Sequence, residues 1–68
     1  MDGDIGFAAG EVYRFLEANG PATVAQLKKA VGRKDAVVNQ AIGWLAREDK
    51  IVREKSRKAV RWDLAGRS

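Results

Sequence analysis

Apolar residues recur with a helical spacing through the first two thirds of the chain, and the spacing changes to alternation near residue 50. The spacing i, i+3, i+4, i+7 of one helix face predicts a first helix over residues 5–18. Asp4 is placed to act as its N-cap, and the segment Asn19-Gly20-Pro21 ends it. The apolar face consists of Ile5, Ala8, Ala9, Val12, Phe15 and Leu16.

A short helix and a longer one follow. Thr23 with Gln26 three residues later matches a capping box, which predicts a helix over 24–31, and Gly32 is the residue type that ends a helix. A third helix is predicted over 35–48, with Asp35 either capping it or lying in its first turn, where a negative charge favours the helix dipole. Its core stripe consists of Val38, Ala41, Ile42 and Leu45.

Alternation of period two between residues 51 and 64 predicts two strands joined by the turn Ser56-Arg57-Lys58, that is, an antiparallel hairpin. Trp62 and Leu64 share one face of the second strand and are predicted to face the helices. Gly66-Arg67-Ser68 is predicted to form a frayed end.

The composition excludes several classes of function. With 68 residues the chain is predicted to form one domain, residues 1–68, and a domain of this size buries only about 60% of its unfolded surface. The absence of Cys and His excludes disulfides, thiolate or imidazole metal sites, and Ser-His-Asp or Cys-His catalysis. No phosphate-binding glycine loop and no paired carboxylates on a helix face appear, so we expect no enzyme, cofactor, metal or small-molecule ligand.

The sequence also bears on where the protein acts. No apolar run reaches about 18 residues, so no membrane span is predicted. The first residues are acidic and lack the features of a signal peptide, so we expect a cytoplasmic protein.

Charge is distributed unevenly. Residues 1–20 carry a net charge of −3 and residues 21–68 a net charge of +7, with the densest basic stretch at residues 50–61. A basic surface confined to one part of a small domain favours a polyanionic partner, with nucleic acid first. The alternative is that these Lys and Arg side chains only solvate the surface.

A short helix joined by a tight glycine turn to a longer helix is a helix-turn-helix unit. The hairpin that follows makes the predicted fold an α+β winged helix-turn-helix. The segments IGFAAGEVY at 5–13, LKK at 27–29 and AIGWLAREDKI at 41–51 resemble those of small stand-alone bacterial winged helix-turn-helix proteins. The resemblance covers about residues 5–64. It implies the fold and, through the fold, DNA binding in a family whose members mostly have no assigned role.

The third helix is predicted to present its outward face to the major groove of double-stranded DNA. Asn39 and Gln40 are of the type that contacts adenine, and Arg47 can contact guanine or phosphate. The alternative for Asn39 and Gln40 is ordinary polar helix surface. The predicted contacts to phosphates and the minor groove are Thr23, Arg33 and Lys34 near the start of the motif, and Lys55, Arg57 and Lys58 in the hairpin.

Gly43 is unusual because a glycine in mid-helix costs about 1 kcal/mol relative to alanine. A close approach by DNA or by another helix would explain it. Aromatic and apolar residues placed only partly toward the core form a candidate interface: Phe7, Tyr13, Val37, Gly43 and Trp44. The alternative for Trp44 is packing within the small core.

Two hypotheses follow from these patterns. The first is a DNA-binding protein, a small transcriptional regulator acting as a homodimer. The second is a protein-interaction or dimerisation module that has the winged-helix form without specific DNA binding.

Overall fold

The structure, a computed structural model, describes residues 3–66 of the chain. Three helices precede a two-stranded antiparallel hairpin, which confirms the predicted α+β winged helix-turn-helix. Residues 67 and 68 of the predicted frayed end lie outside the described residues. The elements are α1 (Gly3–Asn19), α2 (Val24–Val31), α3 (Asp35–Arg47), β1 (Ile51–Lys55) and β2 (Val60–Leu64).

Helix α1 is longer than the predicted range 5–18. It already includes Gly3, so Asp4 lies in the first turn and is not the N-cap. A carboxylate in the first turn still favours the helix dipole, which is why the acidic residue is tolerated there. At the other end the helix includes Asn19, one residue beyond the predicted limit, and the Gly20 N–H donates to the Leu16 carbonyl over 2.8 Å. The Asn19 side-chain amide also donates a 3.0 Å hydrogen bond to the Phe15 carbonyl.

Helix α2 has the predicted capping box. The Gln26 N–H donates to the Thr23 hydroxyl over 3.1 Å, and the Thr23 N–H donates to the Gln26 side-chain oxygen over 2.8 Å. Gly32 ends the helix with a φ of 70°, a left-handed conformation that glycine adopts without steric cost. The chain therefore turns within three residues and enters α3 at Asp35.

Helix α3 ends one residue before the predicted limit of 48, because Glu48 is its C-cap. Asp49 then takes a left-handed φ of 58°, which is uncommon for a residue other than glycine. The Lys50 N–H donates to the Leu45 carbonyl over 2.9 Å, a bond that closes the last turn. This reversal sends the chain directly into β1.

Strands β1 and β2 and the turn between them form the wing. Ile51 lies opposite Leu64 at the base of the wing, and Lys55 lies opposite Val60 next to the turn. Both base residues are buried. Trp62 is half-buried against the core, so the base of the wing belongs to the hydrophobic core and the tip extends beyond it.

A short pairing outside the hairpin fixes the wing to the helical body. The Ala22 N–H donates to the Trp62 carbonyl over 2.9 Å, and the Trp62 N–H donates to the Ala22 carbonyl over 2.7 Å. Ala22 lies between α1 and α2, a segment for which the sequence predicted no strand contact. The free edge of β2 is thereby paired at its centre, next to the N-terminus of α2.

The core contains side chains from every helix and both strands. Helix α1 packs against α3, and α2 contributes a single buried residue, Leu27. Within residues 3–66 no helix is long and apolar enough to cross a membrane. The buried apolar residues are Ala8, Ala9, Val12, Leu16, Ala22, Leu27, Val38, Ala41, Ile42, Leu45, Ile51 and Leu64.

Candidate nucleic-acid interface

The outer face of α3 carries three polar side chains that were predicted from the sequence to contact bases. Asn39, Gln40 and Arg47 are all exposed. They are exposed because the opposite stripe of the helix is buried in the core, and the 3.6-residue period turns these positions away from it. Two turns of α3 therefore present hydrogen-bonding groups to solvent.

Gly43 lies between Gln40 and Arg47 on this outer face and is exposed. A Cβ built on Gly43 would meet no heavy atom within 4 Å among the described residues beyond its immediate neighbours. Packing among the described residues therefore does not require a glycine at this position.

A notch of about 340 Å³ opens beside this glycine. It is lined by Ile5, Gln40, Gly43, Trp44 and Arg47 and is mainly apolar. Ile5 was predicted only as a core residue of α1, and it is half-buried. Its contribution to the surface beside α3 could not be found from the sequence, because it depends on how α1 crosses α3.

The wing tip exposes its two basic residues on a closed turn. The Ser56 hydroxyl donates to the Ala59 carbonyl over 2.9 Å, and the Ser56 N–H donates to the same oxygen over 3.0 Å. Arg57 and Lys58 lie between these residues and are exposed. The turn therefore holds two cations at the end of the wing farthest from the core.

The wing exposes a further basic residue, Arg53, that was not predicted from the sequence as a DNA contact. Arg53 and Lys55 are two residues apart on β1, so they share one face of the hairpin, and both are exposed. Period-two alternation was the signal that could have identified Arg53 together with Lys55. Glu54 lies on the other face and is 4.0 Å from Nη2 of Arg61, its partner across the strands.

Arg33 points to α1. Its Nε donates a 2.7 Å hydrogen bond to Oε1 of Glu11, and its Nη1 is 3.9 Å from Oδ1 of Asp4. The side chain is about two-thirds buried. Arg33 was predicted from the sequence to bind phosphate. Its guanidinium instead connects the turn between α2 and α3 to the first helix.

Thr23 and Lys34 occupy the starts of α2 and α3. The Thr23 hydroxyl accepts the capping bond described above, which leaves its own O–H available as a donor. Lys34 is the N-cap residue of α3, is exposed, and makes no side-chain capping bond. An exposed ammonium group at a helix N-terminus suits an anionic partner.

The five residues that were predicted to form a protein interface do not lie in one patch. Tyr13 and Trp44 line a groove of about 410 Å³ between α1 and α3, whose floor includes Gly6 and Gly10. Both aromatic rings are half-buried, and Trp44 packs against the core. Val37 is half-buried beside Arg33 and Lys34.

Phe7 is separate from both sites. It is 68% exposed, and the helical period places it on the side of α1 opposite the buried residues. The structure therefore brings Tyr13 and Trp44 together, with Gly43 on the neighbouring side of Trp44, and leaves Phe7 on another surface.

Comparison of the sequence with known families gives a match along nearly the whole chain. The family model described as "Winged helix-turn-helix domain (DUF2582)" matches residues 1–62. The uncharacterized protein MJ1608 of Methanocaldococcus jannaschii is 46% identical over 54 residues, which cover 75% of this chain and 76% of that protein. That relative is archaeal, whereas the sequence resemblance pointed to bacterial proteins.

Solved structures share the fold. A Zalpha domain from PKZ of Carassius auratus, solved in complex with Z-DNA, has a TM-score of 0.76 at 23% identity, with 88% of this chain and 95% of that chain covered. Protein BT2368 from Bacteroides thetaiotaomicron has a TM-score of 0.77 at 28% identity, with 90% and 74% covered. A structure of HOP2 that concerns its DNA recognition and protein interaction domains has a TM-score of 0.64 at 31% identity, with 84% and 97% covered.

Proposed function

The chain belongs to the DUF2582 winged helix-turn-helix family, and on that premise we propose that it binds double-stranded DNA as a small transcriptional regulator. In this proposal α3 enters the major groove, and the wing contacts the backbone or the minor groove. The observation that carries the proposal is the combination of an exposed polar face on α3 with a wing whose tip exposes Arg57 and Lys58. DNA offers hydrogen-bonding base edges to the first and phosphates to the second.

The related structures support the partner class. The Zalpha domain was solved with Z-DNA, and the HOP2 structure concerns DNA recognition. The charge of this chain points in the same direction, since its net charge is +4 and all but one of its 13 basic residues lie outside α1. A positive surface of this kind attracts a polyanion and accelerates the encounter.

Duplex affinity is expected to fall steeply with salt. Lys34 and the three wing cations Lys55, Arg57 and Lys58 would neutralise about four phosphates, which gives a log-log slope on the order of −4. The measurement is selection of the purified protein on a random-sequence duplex pool at two salt concentrations, with affinities of the recovered duplexes measured across a salt series.

The outcomes of this selection are distinct. A motif enriched at the higher salt supports sequence-specific binding. Salt-sensitive binding without a motif would limit the interaction to non-specific attraction and contradict a regulator of particular sites. No binding at physiological salt would contradict the proposal itself.

Arg33 is assigned a structural role in this proposal. Arg33→Ala is expected to lower the free energy of unfolding by about 1 kcal/mol, because it removes the ion pair with Glu11. The matched control is Lys34→Ala, which removes the same charge from the next residue, an exposed one, and is expected to weaken DNA binding with little change in stability. Denaturant unfolding and duplex affinity are measured for both variants. Equal losses of affinity would show that Arg33 leaves Glu11 to bind phosphate.

A second candidate function is a protein-interaction module, in which two copies associate as a homodimer. The observation that favours it is the groove lined by Tyr13 and Trp44, which is mainly apolar and open to solvent. The molecular mass of the protein, measured alongside the DNA selection, distinguishes the candidates. A dimer that does not bind DNA would favour the interaction module. A monomer that binds DNA would contradict it.

A further inference from the structure

The notch beside Gly43 has a composition unusual for a polar recognition surface. Ile5 and Trp44 form apolar walls, and Gly43 leaves the backbone of α3 uncovered at its base. Gln40 and Arg47 lie at the rim, one turn before and one turn after the glycine. The result is an apolar depression between two side chains suited to contact base edges.

The chemistry of DNA identifies one group that fits this depression. In the major groove the base edges present hydrogen-bond donors and acceptors and one apolar group, the 5-methyl of thymine. We propose that the notch receives the 5-methyl group of a thymine, and that Gly43 thereby determines part of the sequence specificity. This inference rests on the proposed DNA binding through α3.

The glycine itself supports this assignment. Alanine would be more favourable by about 1 kcal/mol at a mid-helix position, and the space around Gly43 would admit its methyl group without a contact inside 4 Å in the described part of the chain. Residues 3–66 by themselves therefore give no reason for a glycine at this position. A Cβ at this position would project into the space that the thymine methyl is proposed to fill.

The two side chains at the rim of the notch restrict which DNA base sequence the protein recognises. Gln40 is suited to the N6 and N7 edge of adenine, and Arg47 to the O6 and N7 edge of guanine. Both are exposed and lie on the same face of α3 as the glycine. The proposed target is therefore a thymine flanked by purines that these two side chains contact.

Uracil provides the test because it differs from thymine only in lacking the 5-methyl group. The tightest duplexes recovered from the random pool are synthesised again with each thymine replaced singly by uracil. At one position the wild type is expected to lose about fourfold in affinity, the effect of one buried methyl group. Equal affinity for thymine and uracil at every position would overturn the inference while the proposed DNA binding stands.

The variant Gly43→Ala tests the position of the methyl group. It is expected to bind the thymine duplex more weakly and to lose the discrimination between thymine and uracil, while its melting temperature rises. Because the variant is expected to be more stable, weaker binding cannot be ascribed to unfolding. The matched control is Ala36→Gly, on the same outer face and outside the notch, which is expected to keep the fourfold ratio.

Two further outcomes separate the proposals. If Gly43→Ala keeps the fourfold discrimination, the methyl group binds elsewhere and the inference is wrong. If the wild type binds no duplex at all, the proposed function fails first, and the inference fails with it. Thymine discrimination that disappears only in Gly43→Ala supports both.

Discussion

The double variant Arg57→Glu/Lys58→Glu is expected to bind duplex DNA about 30-fold more weakly than the wild type at 0.15 M salt. Each neutralised phosphate contributes about 0.9 to the log-log salt slope, so the loss of two contacts reduces the slope by about 1.8. The Ser56–Ala59 hydrogen bonds that close the wing turn do not involve either side chain. The fold should therefore remain intact, which circular dichroism and thermal unfolding can verify.

The matched control is Arg14→Glu/Lys29→Glu. It makes the same change in net charge at two exposed residues of α1 and α2, outside the wing and the outer face of α3. It is expected to cost less affinity and to leave the salt slope near that of the wild type. If both variants lose affinity equally, the wing is not a contact and the attraction depends on net charge alone.

Leu27→Ala is expected to lower the free energy of unfolding by about 3 kcal/mol. Leu27 is fully buried and is the one buried residue that the described structure shows in α2. A domain of this length has a total stability of about 3–10 kcal/mol, so this variant should be partly unfolded near physiological temperature. Urea unfolding followed by circular dichroism measures the change, and α2 is expected to lose its fixed position beside α3.

The comparison variant is Phe7→Ala. It also truncates a large apolar side chain, but Phe7 is 68% exposed, so the expected change in stability is within about 0.5 kcal/mol. Equally small losses in the two variants would mean that α2 does not depend on Leu27 for its packing. A large loss in Phe7→Ala alone would indicate that Phe7 is covered in solution by a second copy.

Local features of the sequence predicted the elements and their order. The Thr23 capping box and Gly32 specify the start and end of α2 through contacts within a few residues. The change from helical spacing to alternation after residue 50 marks the wing, and the basic turn at its tip follows directly from Ser56-Arg57-Lys58. The exposed face of α3 was also predictable, because the helical period fixes which side chains oppose a buried stripe.

The ends of the helices were predicted less accurately, because a residue near a helix end can occupy more than one position relative to the first or last turn. Asp4 can cap a helix or lie in its first turn, and both placements satisfy the same carboxylate. Asp49 takes a left-handed conformation that the sequence pattern would assign to glycine or asparagine. In both cases the local free-energy differences are small, and packing of the whole chain decides between them.

Only the tertiary structure determined the contacts between residues that are far apart in the chain. Arg33 matches a phosphate-binding pattern, yet its guanidinium binds Glu11, 22 positions earlier. Ala22 pairs with Trp62, and Ile5 forms a wall of the notch beside Gly43. Periodicity and capping are properties of a segment, so the sequence by itself determined the helices, the wing and the polarity of their faces. The partners of Arg33, Ala22 and Ile5 depend on how α1 crosses α3 and how the wing folds back, and only the packed chain brings those groups together.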